Sequence, residues 1–264
     1  MEPQAINSQN FFDGQTAARN YAIARPDFHQ GSIDRVRNFL KIESKLSNAL
    51  DIACGTGLST QALLPIAEHV YGTDSSQHML EHALRSETIN YMQAHAELQP
   101  FNNQFFDLIT VCSGVHWFDI DAFLGEAYRL LKVNGHLVLY DNFFTGETDK
   151  GDDFIEWYLN VYLRRFPAPP RRDSYNWTDD HTRTKGFAFL HEEEFKNPVF
   201  FDRDTLATYF TTQSNIISSI NSGKATYDEV VAWLSKELDP FFTTPDHTQA
   251  FYFGNWIKYL KKVD

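Results

Sequence analysis

One stretch constrains this chain more than any other: Leu50-Asp51-Ile52-Ala53-Cys54-Gly55-Thr56-Gly57. The apolar run from Asn48 to Cys54 reads as a buried strand, and two glycines break it before a helical pattern begins at Leu58. Glycine has no Cβ, so the backbone of such a turn can approach a ligand closely. The helix that follows presents unsatisfied N–H groups to a negative or polar group. A unit of this kind is either a tight turn with no ligand or a ligand cradle. Two acidic residues bear on the choice. Asp51 ends the strand, where it can brace the turn or meet a ligand's ammonium group. Asp74 closes a second strand about 20 residues after the turn, where a carboxylate reaches a ribose hydroxyl pair or caps the next helix.

The same alternation runs on through the first half of the chain. Apolar residues at helical spacing predict a helix over Ser32 to Lys45, and others over Leu58 to Ala67 and Gln77 to Arg85, the last capped by Ser75 or Ser76. Strands are predicted at Glu68 to Asp74, Ile89 to Gln93, Phe106 to Cys112 and His136 to Tyr140. Between the last two, Ile120 to Leu131 reads as a helix, with Gly135 taking positive φ in its C-terminal turn. Strands alternating with helices imply an α/β fold, a parallel sheet with helices on both faces. After Tyr140 the rhythm changes. Asp152 to Phe166 reads as an aromatic-rich helix, Gly186 to Phe195 as a strand, Asp204 to Ile220 and Tyr227 to Leu238 as helices, and Gln249 to Tyr259 as a final strand. The whole of 1–264 is expected to form one domain. A ligand-binding core spans about 32–145 and a cap about 146–245, with the late strands returning to the sheet.

Charge and composition exclude several classes. Lys and Arg total 23 against 35 Asp and Glu, a net charge of −12, which repels nucleic-acid backbones and anionic membranes. Two cysteines, Cys54 and Cys112, make neither a disulfide scaffold nor a zinc module. His78 and His82 lack the glutamate of a zinc-protease helix, and no metal is expected. The N-terminal residues show no secretory pattern, and no window approaches the roughly 18 apolar residues of a membrane span. The expectation is a cytoplasmic protein, a monomer or homodimer. Aromatics make up 15%, with 23 Phe and 12 Tyr, which suits an aromatic-walled cap as well as core packing.

A nicotinamide dinucleotide site would place a third glycine at position 60, where this chain has Thr60. That glycine lets a helix pack close beside a pyrophosphate, so its absence weighs against such a cofactor. The ordered set of motifs instead resembles the class I S-adenosylmethionine-dependent methyltransferases. It comprises Asp51-x-Ala53-Cys54-Gly55-Thr56-Gly57, Asp74, the segment Ala94 to Phe101, and Phe106-Asp107-Leu108-Ile109. Val115-His116-Trp117-Phe118-Asp119, Glu126-Ala127-x-Arg129-Leu130-Leu131-Lys132 and Tyr21-Ala-x-Ala-Arg25-Pro26 are similar to a small-molecule, aconitate methyltransferase-like subgroup. The chain departs from the family at Ala53, usually glycine, and at His95, usually acidic.

The resemblance implies a Rossmann-like, seven-stranded, mostly parallel sheet with one antiparallel strand near the end and a helical cap insert. It implies S-adenosyl-L-methionine as cofactor and methyl transfer to a small molecule, a carboxylic acid among the acceptors. The cofactor's methionine part would lie against Ala53, Cys54, Gly55 and Gly57, its ribose on Asp74 beside Ser75, and its adenine between His95 and Ala96. Cys112 and Ser113, with Gly114, would border the reactive methyl. Tyr21 and Arg25 would close over the cofactor, Arg25 pairing with its carboxylate unless it forms a surface ion pair. His116 is the candidate base or orienting group, or else part of a structural plug with Trp117. Trp117, Tyr140 and Tyr209 are candidates for the acceptor side, with Asp141 beside Tyr140. Arg164, Arg165, Arg171 and Arg172 form a basic cluster that suits an anionic acceptor or a helix C-terminus. The alternative is a catalytically silent cofactor-binding module serving as a sensor or partner subunit.

Overall fold

The computed structural model describes residues 15–169, 175–244 and 246–263. Two helices, α1 (Gln15–Ala24) and α2 (His29–Phe39), precede the first strand, β1 (Leu46–Ile52). Then follow α3 (Leu58–Gln61), β2 (Ala67–Asp74), α4 (Gln77–Glu81), β3 (Ile89–Gln93), β4 (Phe106–Cys112), α5 (Ile120–Leu130) and β5 (Leu131–Thr148). The seven-stranded sheet has the order β3-β2-β1-β4-β5-β7-β6, with β6 at Phe187–Phe201 and β7 at Gln249–Lys262. Pairs among β1 to β5 are parallel, while β7 runs antiparallel to both β5 and β6. The expected Rossmann-like α/β sheet with one late antiparallel strand is the observed one.

Strand periodicity sorts the core into two layers. Leu50, Ile52, Ile109, Val111, Leu137 and Leu139 face one side, where they pack with Phe123, Leu124 and Ala127 of α5. Ala49, Leu108, Val138 and Tyr140, one position out of phase, face the other side and pack with Ile33 and Val36 of α2. Because both faces are covered, the central strands read as continuous apolar runs rather than alternating ones. A third cluster forms the cap. It joins Phe144, Phe251 and Phe253, on the far ends of β5 and β7, to side chains of the helices inserted between the strands. Before β6 these are α6 (Asp153–Trp157), a π turn at Tyr158–Tyr162 and α7 (Leu163–Arg165), while α8 (Asp179–Arg183) packs on β6 outside this cluster. Before β7 they are α9 (Arg203–Thr211), α10 (Ser214–Asn221) and α11 (Tyr227–Leu238). Trp157, Tyr162, Phe166, Tyr209 and Phe210 are buried here, which accounts for much of the aromatic excess.

Several boundaries differ from expectation. The helix predicted to Ala67 ends at Gln61, and the chain continues in i→i+3 turns such as Leu63 N–H to Thr60 C=O. Pro65 has no N–H to extend the helix, and its ring would crowd the preceding turn. The helix predicted over Asp204 to Ile220 is two helices, α9 and α10. Asn134 (φ 63°), not Gly135, takes the left-handed position after α5. Strands β5, β6 and β7 each outrun their predicted limits because they pair with one another well beyond the parallel part of the sheet. Asn142, Asn255 and Asn197 join side chains across these three strands, at 2.6 Å (Asn142 to Asn255) and 3.1 Å (Asn142 to Asn197).

His29, at the start of α2, is buried, and its Nδ1 lies 3.1 Å from the Tyr140 hydroxyl on β5. Burial, reinforced by the Arg25 charge, pushes its pKa from 6.5 down to about 3. Burial and the nearby Lys261 charge push His136 down to about 4. Between these values and 6.5 the unfolded chain binds protons that the folded chain does not. Their contribution is therefore complete above pH 6.5 and is lost as the pH falls towards 3. In urea unfolding at a series of pH values, His29→Gln is expected to flatten the loss of stability between pH 6.5 and 4. An unchanged acid limb would refute this account of His29.

Candidate active site

The order of strands reverses between β1 and β4, and open α/β sheets bind ligands in the crevice beyond the C-terminal ends at such a point. Here β1 leaves the sheet through Ala53 (φ 58°), Gly55 (φ 54°) and Gly57 (φ 84°). A Cβ at Gly57 would stand 2.2 Å from the Tyr91 hydroxyl oxygen. Ala53 carries its methyl in a left-handed conformation, which costs about 1–2 kcal/mol. The methyl also explains the neighbouring glycine, because a Cβ on Gly114 would lie 2.8 Å from the Ala53 Cβ.

Asp51 is fully buried behind this turn. Its Oδ2 accepts from Ser59 Oγ at 2.6 Å and Thr60 Oγ1 at 2.8 Å, and its Oδ1 accepts from Thr110 Oγ1 at 3.0 Å. The carboxylate thus staples the start of α3 and strand β4 to β1, and it faces these hydroxyls rather than a ligand's ammonium group. Burial raises its pKa to about 6, against the pull of the three hydroxyls.

Asp74 closes the crevice from β2. Its Oδ2 accepts the Gly55 N–H at 2.9 Å and its Oδ1 the Ser76 N–H at 2.8 Å. Ser76, rather than Ser75, caps α4 by accepting from Met79 N–H. The Ser75 carbonyl accepts from Gln93 Nε2. Beyond β3, Ala96 is buried and His95 exposed. The segment after them is held by the Glu126–Arg129 pair of α5. Glu126 Oε1 accepts the Gln99 N–H at 2.7 Å, and Arg129 donates to the carbonyls of Gln99 and Phe101.

Cys112 and Ser113 end β4. The Cys112 thiol is pushed up by burial, as is that of Cys54, so both stay neutral and neither is an activated nucleophile. Ser113 (φ 52°) donates its N–H to the Tyr140 carbonyl at 2.9 Å and its hydroxyl to Asp141 Oδ1. His116 and Trp117 follow in a single 3₁₀ turn, both half-buried, with ring centroids 4.8 Å apart. Trp117 packs against the core layer under α5.

Two of the three expected acceptor-side residues sit deeper than predicted. Tyr140 is a core side chain whose hydroxyl meets His29, and Tyr209 is buried in the cap. Arg25 Nη2 donates to the Thr212 carbonyl at 2.9 Å, tying the end of α1 to the end of α9, and among the described residues no ion pair holds it. Tyr21 lies one helical turn earlier and half-exposed. Arg164 and Arg165 are exposed, Arg165 lying over Trp233 and Arg164 on Asn160, and Arg171 and Arg172 lie outside the described residues. Sequence reading missed Ser59, Thr60 and Thr110 as partners of Asp51, although two hydroxyls right after the turn were a visible signal. It also missed His29, whose partner is 111 residues away. Among the described residues no cluster of His, Cys, Asp and Glu is placed to hold a metal, and no helix is long and apolar enough to cross a membrane.

Comparisons with known proteins agree with this geometry. The family profile described as a methyltransferase domain matches residues 50–139. A methyltransferase-family protein of Dictyostelium discoideum is 32% identical over 222 residues, covering 83% of this chain and 82% of that protein. A demethylmenaquinone methyltransferase of Bacteroides fragilis is 36% identical over 104 residues, but these are 35% of this chain and 42% of that enzyme. Among solved structures, one from Anaeromyxobacter dehalogenans, described as that of a type II methyltransferase, superposes with a TM-score of 0.69 at 21% identity. It covers 89% of this chain and 97% of that one. Haemonchus contortus phosphoethanolamine N-methyltransferase 2, solved with S-adenosyl-L-methionine, gives 0.53 at 18% identity over 99% of this chain and 61% of that one. The two superpositions bear on the fold, and the long sequence match carries the family. With its turn, its strand order and this relative in view, the chain belongs to the class I S-adenosylmethionine-dependent methyltransferases.

Proposed function

We propose that the chain transfers a methyl group to a small carboxylic acid, as a single-domain cytoplasmic enzyme of the aconitate methyltransferase-like subgroup. It acts as a monomer or homodimer and uses no nucleic acid or membrane partner. The observation that carries the cofactor side is the Asp74 carboxylate, tied to the Gly55 and Ser76 amides at the crevice. A carboxylate accepts up to about four hydrogen bonds, so it can serve the turn and a ribose hydroxyl pair together. The turn through Ala53, Cys54, Gly55 and Gly57, left-handed at all but Cys54, fits the methionine part, Ser75 flanks the ribose, and His95 and Ala96 border the adenine. Tyr21 closes over the cofactor from α1. Asp51 acts through the turn it braces. The enclosed aromatic cap and the net charge of −12 favour a small acceptor over a polynucleotide.

When bound, S-adenosylmethionine supplies an electrophilic methyl on a sulfonium that leaves as a neutral thioether. What the chain adds is alignment and dryness. Holding two reactants in line supplies on the order of 7–11 kcal/mol of a barrier. Cys112 and Ser113 form the floor beside the reacting methyl, Ser113 fixed by Tyr140 and Asp141. The cap excludes water. A carboxylate acceptor is already ionised at neutral pH, so His116 serves to orient it, with Trp117 as a wall.

Thermal unfolding with S-adenosylmethionine, S-adenosylhomocysteine and a nicotinamide dinucleotide in parallel tests the cofactor assignment. At 100 times its dissociation constant, a specific ligand stabilises the native state by about 2.7 kcal/mol. The expected result is a shift with the first two only. Transfer of labelled methyl to a panel of carboxylic acids then tests the acceptor, and label appearing only on amines or thiols would sink the carboxylic-acid reading.

A further inference from the structure

Arg25 sits where α1 meets the cap. Its guanidinium carbon lies 4.5 Å from the centroid of the Tyr21 ring and 5.2 Å from that of Tyr209. One of its donors is spent on the Thr212 carbonyl, while Nε is buried without a hydrogen-bond partner. A guanidinium offers five N–H donors in a plane, and its flat fork matches a carboxylate. Among the described residues no carboxylate meets it, although acidic residues outnumber basic ones 35 to 23. Arg35, Arg129, Arg183 and Arg203, by contrast, each meet an Asp or Glu. A cation held between two tyrosine faces, with a buried N–H left over, is a binding site for a planar anion.

The neighbours decide which anion. Thr212 and Tyr209 both belong to the cap, and the Arg25 charge also acts on the buried hydroxyl of Tyr162 there. Among the described residues the hydrogen bond Arg25 donates goes to the cap, at Thr212. Tyr21 is the residue of α1 whose hydroxyl feels Asp74, Cys112 and Asp141. The helix thus sets Tyr21 against the cofactor side and Arg25 one turn farther, under the cap. We infer that Arg25 anchors a carboxylate of the acceptor, rather than the carboxylate of the cofactor, and so selects acids over their neutral analogues. This rests on the methyltransferase reading above.

The test uses the full chain and its Arg25→Gln and Arg25→Lys variants, with folding checked by circular dichroism and Tm. Each is titrated calorimetrically with S-adenosylhomocysteine. The saturated protein is then titrated with trans-aconitate, hexanoate and hydrocinnamate, and with the methyl esters of these acids. At least one acid is expected to bind wild type at least tenfold more tightly than its ester. Arg25→Gln should weaken that acid about thirtyfold or more and shift S-adenosylhomocysteine less than threefold, with Arg25→Lys between. If Arg25→Gln fails to fold, Arg25→Lys, which keeps the charge, carries the comparison. Three outcomes overturn the proposal. One is that no acid binds the loaded wild type, and another is that acid and ester bind alike. The third is that Arg25→Gln (Arg25→Lys if Gln fails to fold) loses tenfold in S-adenosylhomocysteine but nothing in 5′-methylthioadenosine, which has no carboxylate. In all three, S-adenosylhomocysteine binding by wild type leaves the methyltransferase reading standing. Its absence in wild type removes that reading and the proposal together.

Discussion

Replacing Asp74 with alanine is expected to weaken S-adenosylhomocysteine binding by about a hundredfold. Hydrogen bonds to a charged group contribute about 1.5–3 kcal/mol each, and a ribose pair presents two. A loss of about 3 kcal/mol corresponds to roughly two decades of affinity. The carboxylate also holds the Gly55 and Ser76 amides, so alanine loosens the turn as well as the ribose contact. Asp74→Asn separates the two effects. Its amide oxygen can keep one backbone donor, but its NH2 group faces the other N–H and the charge is gone. Calorimetry on folded variants decides the matter. A change below threefold for alanine would remove Asp74 from the cofactor site.

Gly57→Ala is expected to destabilise the chain by about 2–5 kcal/mol, the largest effect on stability among single methyl additions at the turn. Two costs add. The residue is held at φ 84°, where a Cβ costs about 1–2 kcal/mol. The new methyl would also stand 2.2 Å from the Tyr91 hydroxyl oxygen and 2.9 Å from its Cζ. Overpacking of this kind costs typically 1–3 kcal/mol. The ring is also held close on the Gly72 side, where a Cβ would come within 2.7 Å of its Cε1 and 2.8 Å of its Cδ1, so it has little room to shift. In urea unfolding, Gly57→Ala combined with Tyr91→Phe should recover part of the loss, since the hydroxyl is the nearest atom. Purely additive effects would mean that strain at φ 84° accounts for the whole cost.

What could be read in advance depended on how local the cause was. Strand β4 begins and ends where its apolar run does, because burial on both faces writes itself directly into the sequence. The turn and Asp74 were legible for the same reason, since strand, glycines and carboxylate lie close together in the chain. Asp51 was half legible. Its position marked the turn, but only the fold brings Thr110 from β4 to its second oxygen. Tyr140 was misjudged because a tyrosine at a strand end looks ready to meet a ligand, whereas its hydroxyl had a buried partner 111 residues away. The long ends of β5, β6 and β7 were hidden too. Polar residues such as Lys196 and Asn197 on β6 and Lys261 and Lys262 on β7 occupy them, and pairing with neighbouring strands, not apolar patterning, makes them extended.

The place of β7 has a consequence for how the molecule is made. It is the last strand in the sequence, yet it lies between β5 and β6, and it is the neighbour through which β6 joins the sheet. A ribosome delivers β6 well before residues 249–262, so during that interval β6 has no strand to pair with and β5 has an open edge. Unpaired edges invite pairing with other chains. The parallel half, β1 to β5, can assemble while synthesis continues. The cap residues that pack on β7, and the edge beyond it, must wait for the final insertion. Until residues 249–262 emerge, a nascent chain of this protein therefore holds β6 without any strand partner and β5 with one edge bare, while the inner strands of its cofactor half are already paired on both sides.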